Sequence, residues 1–134
     1  MDLFNSMNVS AGGMLAQSTR MKIAAENIAN ADSVQRANGQ GPYVAKQVYF
    51  RTFTDAMGTA RVQATVREDT RTPPRAVYNP SSDLADARGF VQLPNVDSTM
   101  ENMNMREAQR SYEANLAAIT TAREMATRTL DLLR

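Results

Sequence analysis

Apolar and small residues recur near the start of the chain at alternating intervals of three and four positions. This spacing is that of a heptad seam, and it predicts an α-helix over residues 4–28. Gly12 and Gly13 each lower helix stability by about 1 kcal/mol, so we expect this half of the helix to fray unless a partner holds it. Asn30 is typical of a helix end. The seam positions are Phe4, Met7, Ala11, Met14, Ser18, Met21, Ala25 and Ile28.

A second long helix is predicted at the end of the chain. Ser98 and Glu101 have the spacing of a capping box, with Ser98 as the N-cap. Further apolar residues lie beside the seam, over a width that one partner helix cannot cover. Either both helices pack on the middle of the chain, or the helix pair completes its core only in an assembly. The seam comprises Met105, Ala108, Tyr112, Asn115, Ile119, Ala122, Ala126, Thr129 and Leu133.

The middle of the chain favours β-strands, because short runs alternate between apolar and polar residues and Pro, Gly, Asn and Asp separate them. The predicted fold class is therefore α+β. Terminal helices in residues 1–34 and 96–134 form a coiled-coil-like pair, and a small antiparallel β domain at residues 35–95 lies between them. The strands are predicted at residues 42–50, 61–67, 76–78 and 89–93, with a turn at residues 55–59.

Composition restricts the chemistry open to this chain. Its 15 basic and 14 acidic residues nearly cancel, so no strong field recruits nucleic acid. Without cysteine or histidine, the commonest metal ligands and the commonest general base are missing. We therefore expect no cofactor, no metal site and no catalytic residue. The chain starts without a secretory signal pattern and has no apolar run of about 18 residues, so composition alone indicates a cytosolic protein without direct membrane insertion.

Several segments resemble the bacterial flagellar axial proteins, the rod and hook group. Residues 25–31 are similar to the N-terminal signature of that group, and residues 96–115 are similar to its C-terminal signature. Residues 41–48, 77–80 and 85–96 resemble the C-type proximal rod proteins in particular. Asp83 departs from the family pattern in a predicted surface loop. Another proximal rod or axial protein of the family is the nearest alternative.

The resemblance implies a structural subunit of the flagellar basal-body rod, and not an enzyme. Such a subunit is exported by the flagellar type III apparatus without a cleaved signal, which reverses the cytosolic expectation. In the periplasm it polymerises with copies of itself and with other rod proteins, including the rod-base adaptor and distal rod proteins. The polymer transmits motor torque.

The candidate subunit interface combines residues on and beside the two predicted seams. We expect Asn27 to be solvated, Asn30 to end its helix, and Asn115 to set helix register as a polar residue on an apolar seam. Tyr112 is expected in the core. The interface set is Met7, Met14, Met21, Asn27, Ile28, Asn30, Met105, Tyr112, Asn115, Leu116, Ile119, Met125, Leu130 and Leu133.

Two other functions are considered from the same residues. A hydrolase could use Glu101 with Glu107, or Asp83 with Asp86, as paired carboxylates. Exposed helix surfaces carry such pairs often, and no aromatic cleft accompanies these. A membrane-active helix would carry a basic polar face, whereas each helical segment here has a net charge of −1.

Overall fold

The computed structural model describes residues 3–34, 41–56 and 58–132. One long helix precedes the four strands in the sequence and another follows them, which confirms the α+β class. The predicted interface residue Leu133 lies outside the described residues. The elements in chain order are α1 (Leu3–Ala29), β1 (Lys46–Thr54), β2 (Ala60–Glu68), β3 (Arg75–Tyr78), β4 (Phe90–Leu93) and α2 (Ser98–Leu132).

The two helices pack against each other in antiparallel orientation. Along the contact, residue numbers on α1 increase while those of their partners on α2 decrease, so the two helices run in opposite directions. These contacts show the pairing of the helices but do not test the predicted coiled-coil geometry, which stays a prediction. The contacts pair Gly13 with Asn115, Arg20 with Glu107, and Asn27 with Glu101.

Helix α2 turns its predicted seam inward for most of its length. Ala108 and Ala122 are buried there, and the seam residue Thr129 near the end is exposed. The remaining described seam positions are half-buried, namely Met105, Tyr112, Asn115, Ile119 and Ala126.

Helix α1 is rotated relative to its predicted seam. Phe4, Ala11, Ser18 and Ala25 are exposed, so that assignment of the inner face is wrong. Small and polar residues lie inside instead, because they allow the neighbouring elements to approach closely. The inner face carries Val9, Gly13, Ala16, Arg20, Ile23 and Asn27.

The start of α2 also differs from the prediction. The Asp97 carboxylate oxygen Oδ1 accepts hydrogen bonds from the amides of Thr99 at 2.9 Å and Met100 at 3.2 Å. These are the second and third helical residues, so Asp97 is the N-cap and Ser98 is the first residue of the helix. The predicted N-cap is therefore wrong by one residue. Both side chains can cap, and the structure uses the earlier one.

Strands β1 and β2 form an antiparallel hairpin that lies along α1. Its register pairs Lys46 with Glu68 at the base and Thr54 with Ala60 at the tip. At the tip, Thr59 Oγ1 donates to Asn5 Oδ1 of α1 at 3.2 Å. The predicted turn at residues 55–59 is confirmed, since the Asp55 amide donates to the Thr59 carbonyl there at 3.0 Å.

Strands β3 and β4 form a second two-stranded antiparallel sheet, separate from the hairpin. Gly89 precedes β4 with φ +80°, and a β-carbon there would lie 2.9 Å from the Tyr78 ring. Only glycine suits both the backbone conformation and the space. The Tyr78 and Phe90 rings pack edge to face across the sheet, with centroids 5.4 Å apart. The β region is thus two small sheets, and its standing as a separate domain stays a prediction.

The connection from β2 to β3 is ordered by a single carboxylate. Asp69 Oδ2 accepts from Thr72 Oγ1 at 2.7 Å, and Oδ1 accepts from the amides of Arg71 and Thr72. The Thr72 hydroxyl contributes most to holding the pKa of Asp69 below its ordinary value, and the backbone amides act in the same direction.

The segments that follow α1 and precede α2 come together beside the start of β1. Ala31, Ala45 and Val96 form a small buried cluster there, and Tyr43 packs against it. Elsewhere the buried apolar residues of the helix pair are mostly alanines, such as Ala16, Ala108 and Ala122. The described part of the chain therefore has a thin core.

Candidate subunit interface

Asn27 lies at the centre of the contacts between α1 and β1. Its side chain is 1% exposed, so the expectation that it is solvated is wrong. Nδ2 donates to the Lys46 carbonyl at 2.8 Å, and Oδ1 accepts from the Lys46 amide at 2.9 Å. Oδ1 also accepts from Tyr43 Oη at 2.9 Å. The buried amide is thus satisfied by the main chain of the adjacent strand.

The same amide connects the two terminal helices. Asn27 Nδ2 donates to Glu101 Oε1 at 3.1 Å, so Glu101 serves this contact rather than a capping box. Beside it, Glu26 and Lys46 form an ion pair. The cluster therefore holds α1, β1 and the start of α2 in one arrangement.

The pair Gly12 and Gly13 lets two elements approach α1 from different sides. A β-carbon at Gly13 would lie 3.0–3.2 Å from the side-chain amide of Asn115 on α2. A β-carbon at Gly12 would lie 3.9 Å from the main chain of Val62 on β2. The helix is continuous through both glycines, so their role includes packing as well as a lower helix propensity.

Asn115 is half-buried on the face of α2 that meets Gly13. Its Nδ2 donates to the Ser111 carbonyl one turn earlier at 2.9 Å. This bond uses one donor of the amide within its own helix. The predicted role of Asn115 in setting register between helices stays a prediction.

An ion pair between the helices was missed from the sequence. Arg20 Nη2 donates to Glu107 Oε2 at 2.9 Å and to Asn104 Oδ1 at 3.1 Å. The Arg20 side chain is 23% exposed and the Glu107 side chain is 67% exposed, so the pair contributes about 1 kcal/mol at most. Arg20 and Asn27 are one heptad apart in the sequence, but polar residues at that spacing predict an exposed face, so periodicity carried no signal for this pair.

On α1 the predicted interface residues lie mostly to the side of the contact with α2. They are half-buried, so part of each side chain stays accessible. Asn30 follows the last residue of α1, and its Nδ2 donates to the Glu26 carbonyl at 2.8 Å, which confirms its role at the helix end. The half-buried set is Met7, Met14, Met21, Ile28 and Asn30.

On α2 the predicted interface residues separate into two groups. Met105, Tyr112, Asn115 and Ile119 are half-buried on the inner face. Exposed fractions are 46% for Leu116, 50% for Met125 and 68% for Leu130. Contact of either group with another subunit stays a prediction.

Three of the four carboxylates considered for a hydrolase are engaged in structural contacts. Glu101 binds Asn27 and Glu107 binds Arg20, while Asp86 Oδ1 accepts from the amides of Arg88 and Phe90 in the β3–β4 turn. The described residues contain no group of three or more acidic side chains placed to bind a metal. None of the described helices has the length and apolarity needed to cross a bilayer.

Two family models match the ends of the chain. Residues 7–37 match "Flagella basal body rod protein", and residues 87–132 match "Flagellar basal body rod FlgEFG protein C-terminal". The chain is also 41% identical over 135 residues to the flagellar basal-body rod protein FlgC of Salmonella typhimurium, covering 98% of both chains. The chain belongs to the FlgC-type flagellar basal-body rod proteins.

Other FlgC proteins from distant bacteria agree with this assignment. Identity to the protein of Agrobacterium fabrum is 40% over 127 residues, covering 94% of this chain and 91% of the relative. Identity to the protein of Aquifex aeolicus is 37% over 132 residues, covering 98% and 97%. As a member of this family, the chain is a structural subunit of the flagellar basal body and not an enzyme. The hydrogen bond from Asn27 to Glu101 joins the two segments that the family models match.

Proposed function

We propose that this FlgC-type protein polymerises in the proximal rod, with copies of itself and with other rod proteins, into the drive shaft that transmits motor torque across the periplasm. The rod-base adaptor and the distal rod proteins are its proposed neighbours. The observation that carries the proposal is the large amount of surface that the single chain leaves exposed.

The accessible surface of the chain is 9749 Å². A compact monomer of 14.8 kDa exposes about 7,000 Å². The excess of about 2,700 Å² exceeds the roughly 800 Å² that one partner contributes to a standard protein interface. A subunit that contacts several neighbours along and around an axis would bury this additional accessible surface in its interfaces.

The far end of α2 supplies part of this surface and exposes two leucines. Helix α1 has 27 residues and α2 has 35, and the contact between Asn27 and Glu101 aligns the end of α1 with the start of α2. The contacts place Met125 opposite Leu3, so the last seven residues of α2 extend about 10 Å past the start of α1. We call residues 126–132 the overhang. Its Leu130 is 68% exposed and its Leu132 is 87% exposed.

The outer side of α1 is a second candidate contact surface. Phe4 and Leu15 are exposed, and Met7, Met14 and Met21 are half-buried. Methionine side chains adapt to partners of different shape, which suits a subunit whose neighbours differ along the rod. Burial of this surface on assembly would contribute roughly 25 cal/mol per Å². A coiled-coil-like helix pair is part of the same proposal.

We also propose export through the flagellar type III apparatus, without a cleaved signal. The thin, alanine-rich core of the helix pair supports this, because little apolar burial must be undone before the chain is threaded. The two helices are also separated by most of the chain, so their pairing follows closure of a long loop.

The test of the assembly role uses Leu130→Asp in the overhang, with Thr127→Asp as the control. Both positions are exposed on the same helix end, so each monomer should keep its unfolding free energy within about 0.5 kcal/mol. We expect Leu130→Asp cells to lose swimming motility and their basal bodies to lack complete rods, because a charge replaces an apolar contact. Thr127→Asp cells should swim. Normal rods in Leu130→Asp cells would contradict the proposed use of the overhang.

A further inference from the structure

The edge of β1 that faces away from β2 carries main-chain groups that are not part of the hairpin ladder. In an antiparallel pair, alternate residues direct their N–H and C=O groups across the pair, and those between direct them outward. The Ala45 carbonyl accepts from the Asp69 amide at 2.8 Å, and the Asp55 amide donates to the Thr59 carbonyl at 3.0 Å. Odd-numbered residues of β1 therefore bond to β2. Even-numbered residues direct their groups outward.

The first outward position already has a partner of strand-like geometry. The Lys46 N–H donates to Asn27 Oδ1 at 2.9 Å, and the Lys46 C=O accepts from Asn27 Nδ2 at 2.8 Å. A side-chain amide carries the same donor and acceptor as a peptide unit. Asn27 thus occupies the place that one residue of an adjoining strand would take.

The next two outward positions, Val48 and Phe50, line an open groove. Its volume is about 400 Å³, and its walls are β1 and the start of α2, with Ile23 and Ala24 of α1 between them. Within residues 3–34, 41–56 and 58–132, no group bonds to the outward N–H or C=O of Val48 or Phe50. The polar side chains of Glu101 and Asn104 lie on the opposite wall.

We propose that this groove binds an extended segment of a neighbouring rod subunit, which adds a third strand beside β1. Outward groups two residues apart on β1 repeat every ~6.6 Å, the spacing of matching groups on another extended chain. A helix has its own main-chain groups bonded internally and cannot supply them. Main-chain bonds would provide affinity, and the narrow walls would select small side chains at the positions that face α1.

The proposal rests on the assembly role, since it names one way in which neighbours attach. Its test removes a main-chain donor without changing the hairpin ladder. Val48→Pro deletes an outward N–H, which proline tolerates at a strand edge. Thr54→Pro deletes an outward N–H on the same edge beyond the groove, and Val48→Ala keeps the N–H while shortening the side chain. All three monomers are compared by thermal unfolding.

Incorporation into isolated basal bodies is then measured in competition with the unmodified protein. We expect Val48→Pro to reduce incorporation about tenfold, the effect of losing one main-chain hydrogen bond and its close contact. The Thr54→Pro and Val48→Ala variants should stay within about twofold of the unmodified protein. Equal incorporation of all three variants would overturn the groove proposal.

Two further results separate this proposal from the assembly role. If Leu130→Asp blocks rod formation while Val48→Pro does not, the subunit assembles without using the groove. If neither change affects rods, neither the overhang nor the groove carries the contacts between subunits, and both proposed surfaces are wrong. If Val48→Pro unfolds the monomer, cryo-EM of basal bodies with the unmodified protein decides: extended density bonded to Val48 and Phe50 supports the proposal, and an empty groove or a helix there overturns it.

Discussion

At the scale of single residues, Asn27 shows how a polar side chain can organise three elements. Its amide is buried and makes four hydrogen bonds, to Lys46 twice, to Tyr43 and to Glu101. Nothing in the sequence distinguishes it from a solvated asparagine, because its partners are 16 to 74 residues away. Only the fold brings them together.

The change Asn27→Asp should destabilise the free subunit strongly. The aspartate has no donor for the Lys46 carbonyl, and its charge would face the Glu101 carboxylate. We expect a loss of about 2–3 kcal/mol in unfolding free energy at pH 7, measured by urea denaturation. Asn8→Asp makes the same chemical change at an exposed site on α1 and should cost about 0.5 kcal/mol at most. Equal losses in both variants would show that the Asn27 bonds are dispensable.

At the scale of elements, the strands could be predicted and the faces of the helices only in part. Alternating residues and the turn at residues 55–59 identified the hairpin, since both are local signals. Its first strand was misplaced, because β1 runs over Lys46–Thr54 and not over the predicted residues 42–50. The seam of α2 is mostly apolar and was placed correctly over the described residues, apart from Thr129. The inner face of α1 was not, because its buried positions are small or polar. Gly13 and Arg20 suit the residues that face them on α2, and the local periodicity of α1 carries no information about those partners.

The glycine pair of α1 gives a prediction at this scale. Gly12→Ala meets only an ordinary contact, so the better helix former should stabilise the subunit by about 0.5–1 kcal/mol. Gly13→Ala brings its methyl within 3.0–3.2 Å of the Asn115 side chain, so we expect that gain to be lost or reversed. Adding Asn115→Ala to Gly13→Ala should restore it. Thermal unfolding of the unmodified protein, Gly13→Ala, Asn115→Ala and the double variant forms a double-mutant cycle that measures this coupling.

If Gly13→Ala stabilises the subunit as much as Gly12→Ala does, the close approach of Asn115 does not limit packing. The same Asn115→Ala variant also bears on register. If this variant keeps its stability but assembles less selectively, with misaligned or mixed partners, a register role for Asn115 is supported.

At the scale of the whole molecule, the chain is long and thin rather than compact. Helix α2 alone is about 52 Å long, since it has 35 residues. The hairpin lies along α1, and the second sheet sits at one end of the helix pair. Few large apolar residues are therefore surrounded on all sides, which explains both the thin core and the large accessible surface.

Small-angle X-ray scattering of the monomer should show this shape directly. A compact chain of 134 residues has a radius of gyration of about 14 Å. We expect a value well above that, because the helix pair extends across the molecule. Extrapolation to zero concentration controls for self-association, which would also raise the value. A radius of about 14 Å would indicate that the free subunit folds back into a more compact form.

The antiparallel course of α1 and α2 has a consequence for labelling. The first described residue, Leu3, and the overhang lie at the same end of the molecule, so an epitope or fluorophore fused at either terminus would sit beside the surface proposed for neighbours. The turn between β3 and β4 lies at the opposite end, and Ser81 and Asp83 are exposed there. Exposed turns of this kind tolerate insertions. A reporter placed within residues 81–84 would leave the helix ends unobstructed.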